Sequence, residues 1–374
     1  MKYLAILGRQ PKISLAELES LFDEVEPISD NLATFESDVL PNINRLGSVL
    51  KIGEKIESSP LEFLSNTSNG KITFGISDYS KGASAYKTNG EALKLKKILA
   101  RHEIKSRVLQ NKTAVLSTAT SHHNQIGEKN GHFELIKFGK TWWNVIGVQN
   151  ITSYANRDQA RPARDAKVGM LPPKLAQILI NLCGNLPEGS VLLDPFCGTG
   201  VVLQEAMLFG YIPYGTDISE RMVEYTKKNL DWLATEKNLT NKDVYAKMEL
   251  SVGDAVDFGW SSNITAVACE AYLGSPMSNP PAEIKLKEEK QRCSAIILGF
   301  LKNLAKQIKT DTPAVIAVPA WLRPDKSYSR LNMLDEIDKL GYNLIRFKNV
   351  SQRDLIYHRD GQVVAREIIV LRKK

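Results

Sequence analysis

Residues 191–200 read VLLDPFCGTG, and this stretch decides the fold. Val191 to Leu193 is a short apolar run of buried-strand type, Asp194 to Gly200 is a glycine-containing turn, and Val201 to Phe209 (VVLQEAMLF) has helical spacing. Gly198 and Gly200 let backbone approach a ligand closely, and the helix that follows offers its N-terminal amides. The turn is not a P-loop, because G-x-x-x-x-G-K-[ST] is absent, and it lacks the full G-x-G-x-x-G of dinucleotide binders. Asp217 lies 17 residues beyond Gly200, at the end of a second strand (Pro213 to Thr216), where a carboxylate can accept from both ribose hydroxyls. Asp254 follows a third strand-like segment, Glu249 to Val252, within reach of an adenine amino group. Ligands of an open α/β sheet bind outside the carboxyl ends of its strands, so Asp194, Asp217 and Asp254 line one crevice. Taken singly each acid also reads as a helix cap or turn former. Their order after consecutive strands favours a cofactor that contains adenosine.

Outward from this motif, residues 174–374 alternate strand-length apolar runs with helical patterns, as a doubly wound parallel sheet requires. The charged and proline-rich stretch 156–173 (NRDQARPARDAKVGMLPP) reads as a linker. Ahead of it, residues 1–68 form a small α+β unit: a strand at Tyr3 to Leu7, a helix from Ser14 to Phe22 with Ser14 as N-cap and Glu17 three residues on, and strands near Thr34 to Phe35 and Val49 to Ile52. Residues 69–155 form a second unit, with strand KITFGIS, a basic helix from Glu91 to His102, a strand around Ala114 to Ser117, and a closing pair at Phe133 to Phe138 and Trp142 to Val148.

The 374 residues are 43% hydrophobic and 24% charged, which excludes wholesale disorder. The longest apolar stretches fall well short of the roughly 20 residues that span a bilayer, so no membrane contact is expected and the chain reads as cytoplasmic. Cys183, Cys197, Cys269 and Cys293 are far apart, and no His or Cys spacing suits a metal. The net charge of +7 is unevenly spread, because residues 71–170 carry 17 Lys and Arg against 7 Asp and Glu. Such a segment attracts a phosphate backbone, and a solvated face is the competing reading.

The segments MKYLAILGRQPKISLAELESLF, FGISDYS, LSTATSHHN, RPARDAKVGMLPPKLAQ, DPFCGTG and YGTDIS together resemble the S-adenosylmethionine-dependent RNA methyltransferases that carry a THUMP domain, especially the tRNA guanosine-N2 methyltransferases. The resemblance implies a ferredoxin-like domain over 1–68, a THUMP-like RNA-binding domain over 69–155 and a Rossmann-like, seven-stranded methyltransferase domain over 174–374. It also implies S-adenosylmethionine held by Asp194, Gly198 and Gly200 on the methionine side, by Asp217 at the ribose and by Asp254 at the adenine, with Pro195, Phe196, Cys197, Thr199, Ile218 and Ala255 among the cofactor contacts. The implied partner is tRNA, methylated on a D-arm guanosine around position 10. A small activating subunit stays open.

The chain departs from the family where chemistry is expected. Members place Asp or Asn, then Pro-Pro and an aromatic, at the end of the fourth strand, so that oxygen acceptors localise the lone pair of an exocyclic amine and the ring stacks on an extruded base. Here the strand Ile264 to Cys269 leads into Glu270-Ala271-Tyr272, which makes Glu270 and Tyr272 the candidate catalytic pair; Asn279-Pro280-Pro281 reads as a loop. Cys269 and Cys197 read as structural. Lys94, Lys97 and Arg101 recur at helical spacing, and with His122, His123, Asn124, Arg161 and Arg164 they are the candidate RNA contacts. Arg157 and Lys167 lie at the same junction as the last two. Two alternatives are a DNA adenine-N6 or cytosine-N4 amino-methyltransferase, and a non-catalytic RNA-binding protein that kept the methyltransferase fold.

Overall fold

The computed structural model describes residues 1–67, 70–165, 170–260 and 263–374. It divides into two compact units, Met1–Leu18 with Phe22–Ser153, and Glu19–Leu21 with Tyr154–Lys374.

The first unit is built on β1 (Lys2–Leu7), β2 (Asp23–Ser29), β3 (Leu32–Glu36), β4 (Val49–Ile56), β5 (Ile72–Asp78), β6 (Ser106–Val108), β7 (His132–Phe138) and β8 (Thr141–Val148). They form one sheet in the order β2-β3-β1-β4-β8-β7-β5-β6, so strands from either side of residue 68 share a single ladder, joined where β4 pairs antiparallel with β8. Helices α1 (Pro11–Leu21), α2 (Pro60–Asn66), α3 (Ala85–Arg101) and α4 (Thr118–His123) complete it.

Three elements differ from the sequence expectation. Helix α1 begins at Pro11, whose missing N–H costs nothing in a first turn, so Ser14 is inside the helix rather than capping it. Glu17 is buried and accepts the amides of Gly47 and Ser48, each at 2.9 Å, instead of closing a capping box. Helix α3 starts six residues before Glu91, capped by Ser84, whose hydroxyl accepts from the Lys87 amide. The segment Ala114 to Ser117 is no strand, because its polar groups go elsewhere: Leu116 N–H donates to Ser77 Oγ and Leu116 C=O accepts from Lys51 Nζ.

Those two bonds belong to the polar centre of this unit. Lys51 on β4 and Glu134 on β7 are 1% and 0% exposed, and their ion pair closes at 2.6 Å. The hydroxyls of Ser77 (β5) and Ser121 (α4) donate to the two oxygens of the same carboxylate, each at 2.5 Å. A buried charge of this kind is tolerated only when paired and fully hydrogen-bonded.

In the second unit β9 (Val191–Asp194), β10 (Ile212–Asp217), β11 (Glu249–Val252), β12 (Ala266–Glu270), β13 (Pro313–Leu322), β14 (Tyr328–Ser329), β15 (Tyr342–Leu344), β16 (Ile356–Tyr357) and β17 (Val364–Lys373) run in the order β11-β10-β9-β12-β13-β17-β15, with β14 against β13 and β16 against β17. The first five are parallel and β17 is antiparallel to both its main neighbours. Strand β15 pairs with β17 over Tyr342–Leu344. The helices are α5 (Ile151–Gln159), in which the division at Ser153 falls, α6 (Pro173–Asn181), α7 (Val201–Leu208), α8 (Glu220–Glu236), α9 (Asp243–Ala246), α10 (Glu283–Leu304) and α11 (Leu334–Lys339). The stretch read as a linker thus begins inside α5.

Leu193, Val267 and Ile316 from the sheet pack with Ile297, Phe300 and Leu301 of α10 in the main core. The four cysteines are free thiols and all buried. Strand order reverses at β9, which has β10 on one side and β12 on the other, and the crevice of an open sheet lies at such a switch point.

Removing one member of the Lys51–Glu134 pair leaves an uncompensated buried charge. Lys51→Met is therefore expected to destabilise the chain by about 3–5 kcal/mol, and adding Glu134→Gln to recover a substantial part, as read from urea unfolding midpoints; equal losses in the single and double variants would refute the account.

Candidate active site

The turn after β9 is held from two directions. Asp194 Oδ1 accepts the Phe196 amide at 3.1 Å, and Cys197 N–H donates to Thr216 C=O at 2.9 Å. Gly198 and Gly200 adopt φ of 53° and 81°. At Gly200 a Cβ would also lie 2.8 Å from Thr226 of α8, so this position admits glycine on both counts. Thr226 Oγ1 donates to Gly198 C=O, and Asn229 Nδ2 donates to Thr199 C=O at 2.8 Å, so α8 supports the turn from beneath. Asn229 also exchanges two bonds with the backbone of Ala163, fastening the chain that precedes α6.

Asp217 ties this turn to the next strand end. Its Oδ2 accepts the Gly198 amide at 3.0 Å and its Oδ1 the Ser219 amide at 2.9 Å. Gly253 N–H donates to Asp217 C=O, which sets the loop after β11 beside it. Ile218 is 71% exposed next to this carboxylate, an open apolar side chain at the crevice edge. Asp254 is exposed and caps its own turn by accepting the Val256 amide. Ala255 is buried, and its carbonyl accepts from Asn303. Gly253 is a position the sequence reading missed: a Cβ there would fall 2.1 Å from the Phe258 ring. Pro195 and Cys197 are buried under the turn, and Phe196 packs edge-on against Phe300 at 5.2 Å.

Electrostatics single out Asp194 and Asp217. Burial pushes the Asp194 carboxyl well above the usual range, and the nearby Asp217 and Glu270 carboxylates push it further, against the Phe196 amide. Asp217 is also raised by burial, against its two amide donors. The Cys269 and Cys197 thiols are pushed up by burial and then by Asp194, so neither supplies a thiolate.

Glu270 ends β12, level with Ala317 of β13. The sequence presents it as a free acceptor, but Arg366 Nε on β17 donates to its Oε1 at 2.8 Å, and the two side chains are 19% and 9% exposed. Arg366 also donates to Gln362. Tyr272 is half-buried, with the Arg292 guanidinium 5.2 Å from its ring centroid. The loop between Glu270 and α10 is pinned where Glu289 accepts the Ser275 amide, and Asn279 lies exposed before α10.

The candidate RNA residues are differently placed. Lys94, Lys97 and Arg101 are exposed on α3, opposite its buried Ala92, Leu95 and Leu99. His122 Nε2 is 3.2 Å from Thr152 Oγ1, His123 is exposed, and Asn124 donates back to Thr120. Arg164 is exposed in the second unit, whereas Arg161 is 3% exposed, its Nη2 spent on Asp158 C=O and Met170 Sδ, so it is no surface contact. Lys167 lies outside the described residues. Arg157, also read as a junction cation, is buried in an ion pair with Glu205 of α7, which in turn accepts from Gln177 of α6; Tyr154 donates to Gln177. No local sequence signal marks that network.

A central parallel sheet in this order, with the glycine turn at its switch point, defines a Rossmann-like methyltransferase fold. A family profile described as an RMKL-like methyltransferase domain matches residues 161–320. The chain is 45% identical over 174 residues to the tRNA (guanine(10)-N2)-dimethyltransferase of Methanothermobacter thermautotrophicus, covering 46% of each protein. It is 33% identical over 144 residues to the "Probable tRNA (guanine(10)-N2)-dimethyltransferase" of Methanothermococcus thermolithotrophicus, covering 38% of this chain and 78% of that one. The crystal structure of TrmN from Thermus thermophilus has the same fold over the full length of both chains, with a TM-score of 0.51 and 15% identity. The chain belongs to the tRNA (guanine(10)-N2)-dimethyltransferase family. It spans just under half the length of the first of these relatives.

The raised Asp194 gives a signed expectation. Its folded pKa exceeds the unfolded value of about 3.9, so the native state holds a proton that the unfolded state releases, and stability falls as pH rises through that window. Asp194→Asn keeps an acceptor for Phe196 and loses the charge. Thermal melts should find the variant more stable than wild type at pH 8, with the difference shrinking towards pH 4; a gain that is constant with pH would refute it.

Proposed function

We propose that this chain transfers a methyl group from S-adenosylmethionine to the exocyclic N2 amine of a guanosine in tRNA. The observation that carries the reading is the convergence of Asp194, Asp217 and Glu270 at the carboxyl edge of the sheet, in a chain of this family. The crevice fits the cofactor: two glycines open the turn, Asp217 has lone pairs beyond its two amides, and Ile218 offers an apolar face. Bound there, the cofactor supplies an electrophilic methyl group.

The remaining chemistry falls to side chains. Asp217 would accept the ribose hydroxyls, with Ile218 against the adenine and Gly198 to Gly200 along the methionine end. Among the described residues Glu270 Oε2 has no partner, so it would accept a proton of the guanine amine while Arg366 holds Oε1 and fixes the carboxylate. Tyr272 would stack on the extruded base, its ring braced by Arg292.

The substrate would be gripped by a ferredoxin-like segment over 1–68 and a THUMP-like segment over 69–155, with the exposed Lys94, Lys97 and Arg101 on the phosphate backbone and His123 beside them. Residues 174–374 would hold cofactor and base. No described helix is long and apolar enough to cross a membrane. We place the enzyme in the cytoplasm with its tRNA.

Nucleoside mass spectrometry on unmodified tRNA incubated with S-adenosylmethionine tests reaction and site together. Wild type should form N2-methylguanosine, and Glu270→Ala should lower the rate by about a hundredfold or more. Product persisting at the wild-type rate would remove Glu270 from the chemistry, and a different methylated nucleoside would overturn the guanine assignment.

A further inference from the structure

Two cations near the catalytic loop lack the acidic partner that their neighbours have. Arg366 pairs with Glu270 and Arg330 with Glu367, at 2.8 and 3.1 Å. Lys290 of α10 and Arg323 at the end of β13 have no such carboxylate among the described residues. Instead Lys290 Nζ and Arg323 Nη2 both donate to one oxygen, Ser329 Oγ on β14, each at 3.4 Å. Asp325, the acid that feels Arg323, closes no ion pair with it, and its Oδ1 accepts the amide and hydroxyl of Ser327.

We propose that Lys290, Arg323 and Ser329 form a phosphate-binding subsite that grips the RNA backbone beside the target base. Two like charges converging on a neutral hydroxyl form an arrangement that an anionic oxygen completes. Ser329 is 4% exposed and spends its lone pairs on the two cations, which leaves its own proton to donate. Lys290 is half-buried and Arg323 exposed, so their remaining donors face an approach from solvent. Burial, and then Arg323, lowers the Lys290 pKa, as expected of a cation held close to another.

The cradle is rigidly placed. Arg323 is fixed by a tight turn in which its N–H donates to Ser327 C=O and its C=O accepts from Lys326. Ser329 pairs with Trp321 in β13, the strand beside β12. On α10, Lys290 stands between Glu289, which pins the loop after Glu270, and Arg292, which braces Tyr272. Lys290 is therefore within one turn of α10 of the residue that braces Tyr272. The inference rests on the RNA-methylation reading for the identity of the anion.

The test uses the full chain and unmodified tRNA. Filter binding across a salt series is measured for wild type, Lys290→Gln with Arg323→Gln, the charge-keeping pair Lys290→Arg with Arg323→Lys, and Lys309→Gln as a control for an exposed lysine elsewhere. Losing one phosphate contact should flatten the slope of log K against log salt by about 0.7–0.9, and weaken binding several-fold, in the neutral pair only. S-adenosylmethionine affinity and turnover at saturating tRNA should stay at wild-type values. A slope unchanged in the neutral pair, or reduced equally by Lys309→Gln, would overturn the subsite. Absence of any methylated nucleoside from wild type would instead count against the RNA-methylation reading, with the salt slopes still deciding the subsite.

Discussion

The constraint on which the second unit depends is the parallel register of β9, β10 and β12. It sets Asp194 level with Gly215 and Leu193 level with Val267, so the strands finish at the same edge of the sheet. Everything chemical follows from that levelling. Asp217 can reach back to the Gly198 amide because its strand ends beside the turn, and Glu270 can feel Asp194 because its strand ends there too. The sheet contributes no chemistry of its own. It spends hydrophobic burial to hold carboxylates close together, an arrangement that their mutual repulsion and desolvation oppose.

The parts legible in the sequence were those encoded locally. A buried-strand run, a glycine turn and helical spacing within residues 191–209 suffice to place β9 and α7, and the spacing to Asp217 and Asp254 placed the next two strand ends. What escaped was set by distant partners. Arg366 lies 96 positions from Glu270, so no window of sequence relates them. The failed strand at Ala114 to Ser117 has acceptable residues, but Ser77 and Lys51 claim its amide and carbonyl. The early start of α3 was hidden by Gly90 and a polar first turn. Arg161 reads as an RNA contact because charges usually face outward, yet it is enclosed, and the junction cation Arg157 is neutralised by Glu205.

The lack of a proline pair in Glu270-Ala271-Tyr272 acquires a physical sense from Arg366. Proline pairs stiffen a backbone so that its acceptors stay aimed. Here stiffness comes from a charge-assisted bond to the side chain and from Glu289 anchoring the loop. The Glu270 side chain is thus restrained by β17, and the loop that follows it by α10.

The buried carboxylate of Glu134 bears on how such a chain can be rearranged over evolutionary time. Its partners come from β4, β5 and α4, on both sides of residue 68. A shuffling event that delivered the segment after residue 70 without β4 would carry a carboxylate into the interior with no ammonium to meet it. The two halves of this unit therefore depend on each other for the neutralisation of Glu134.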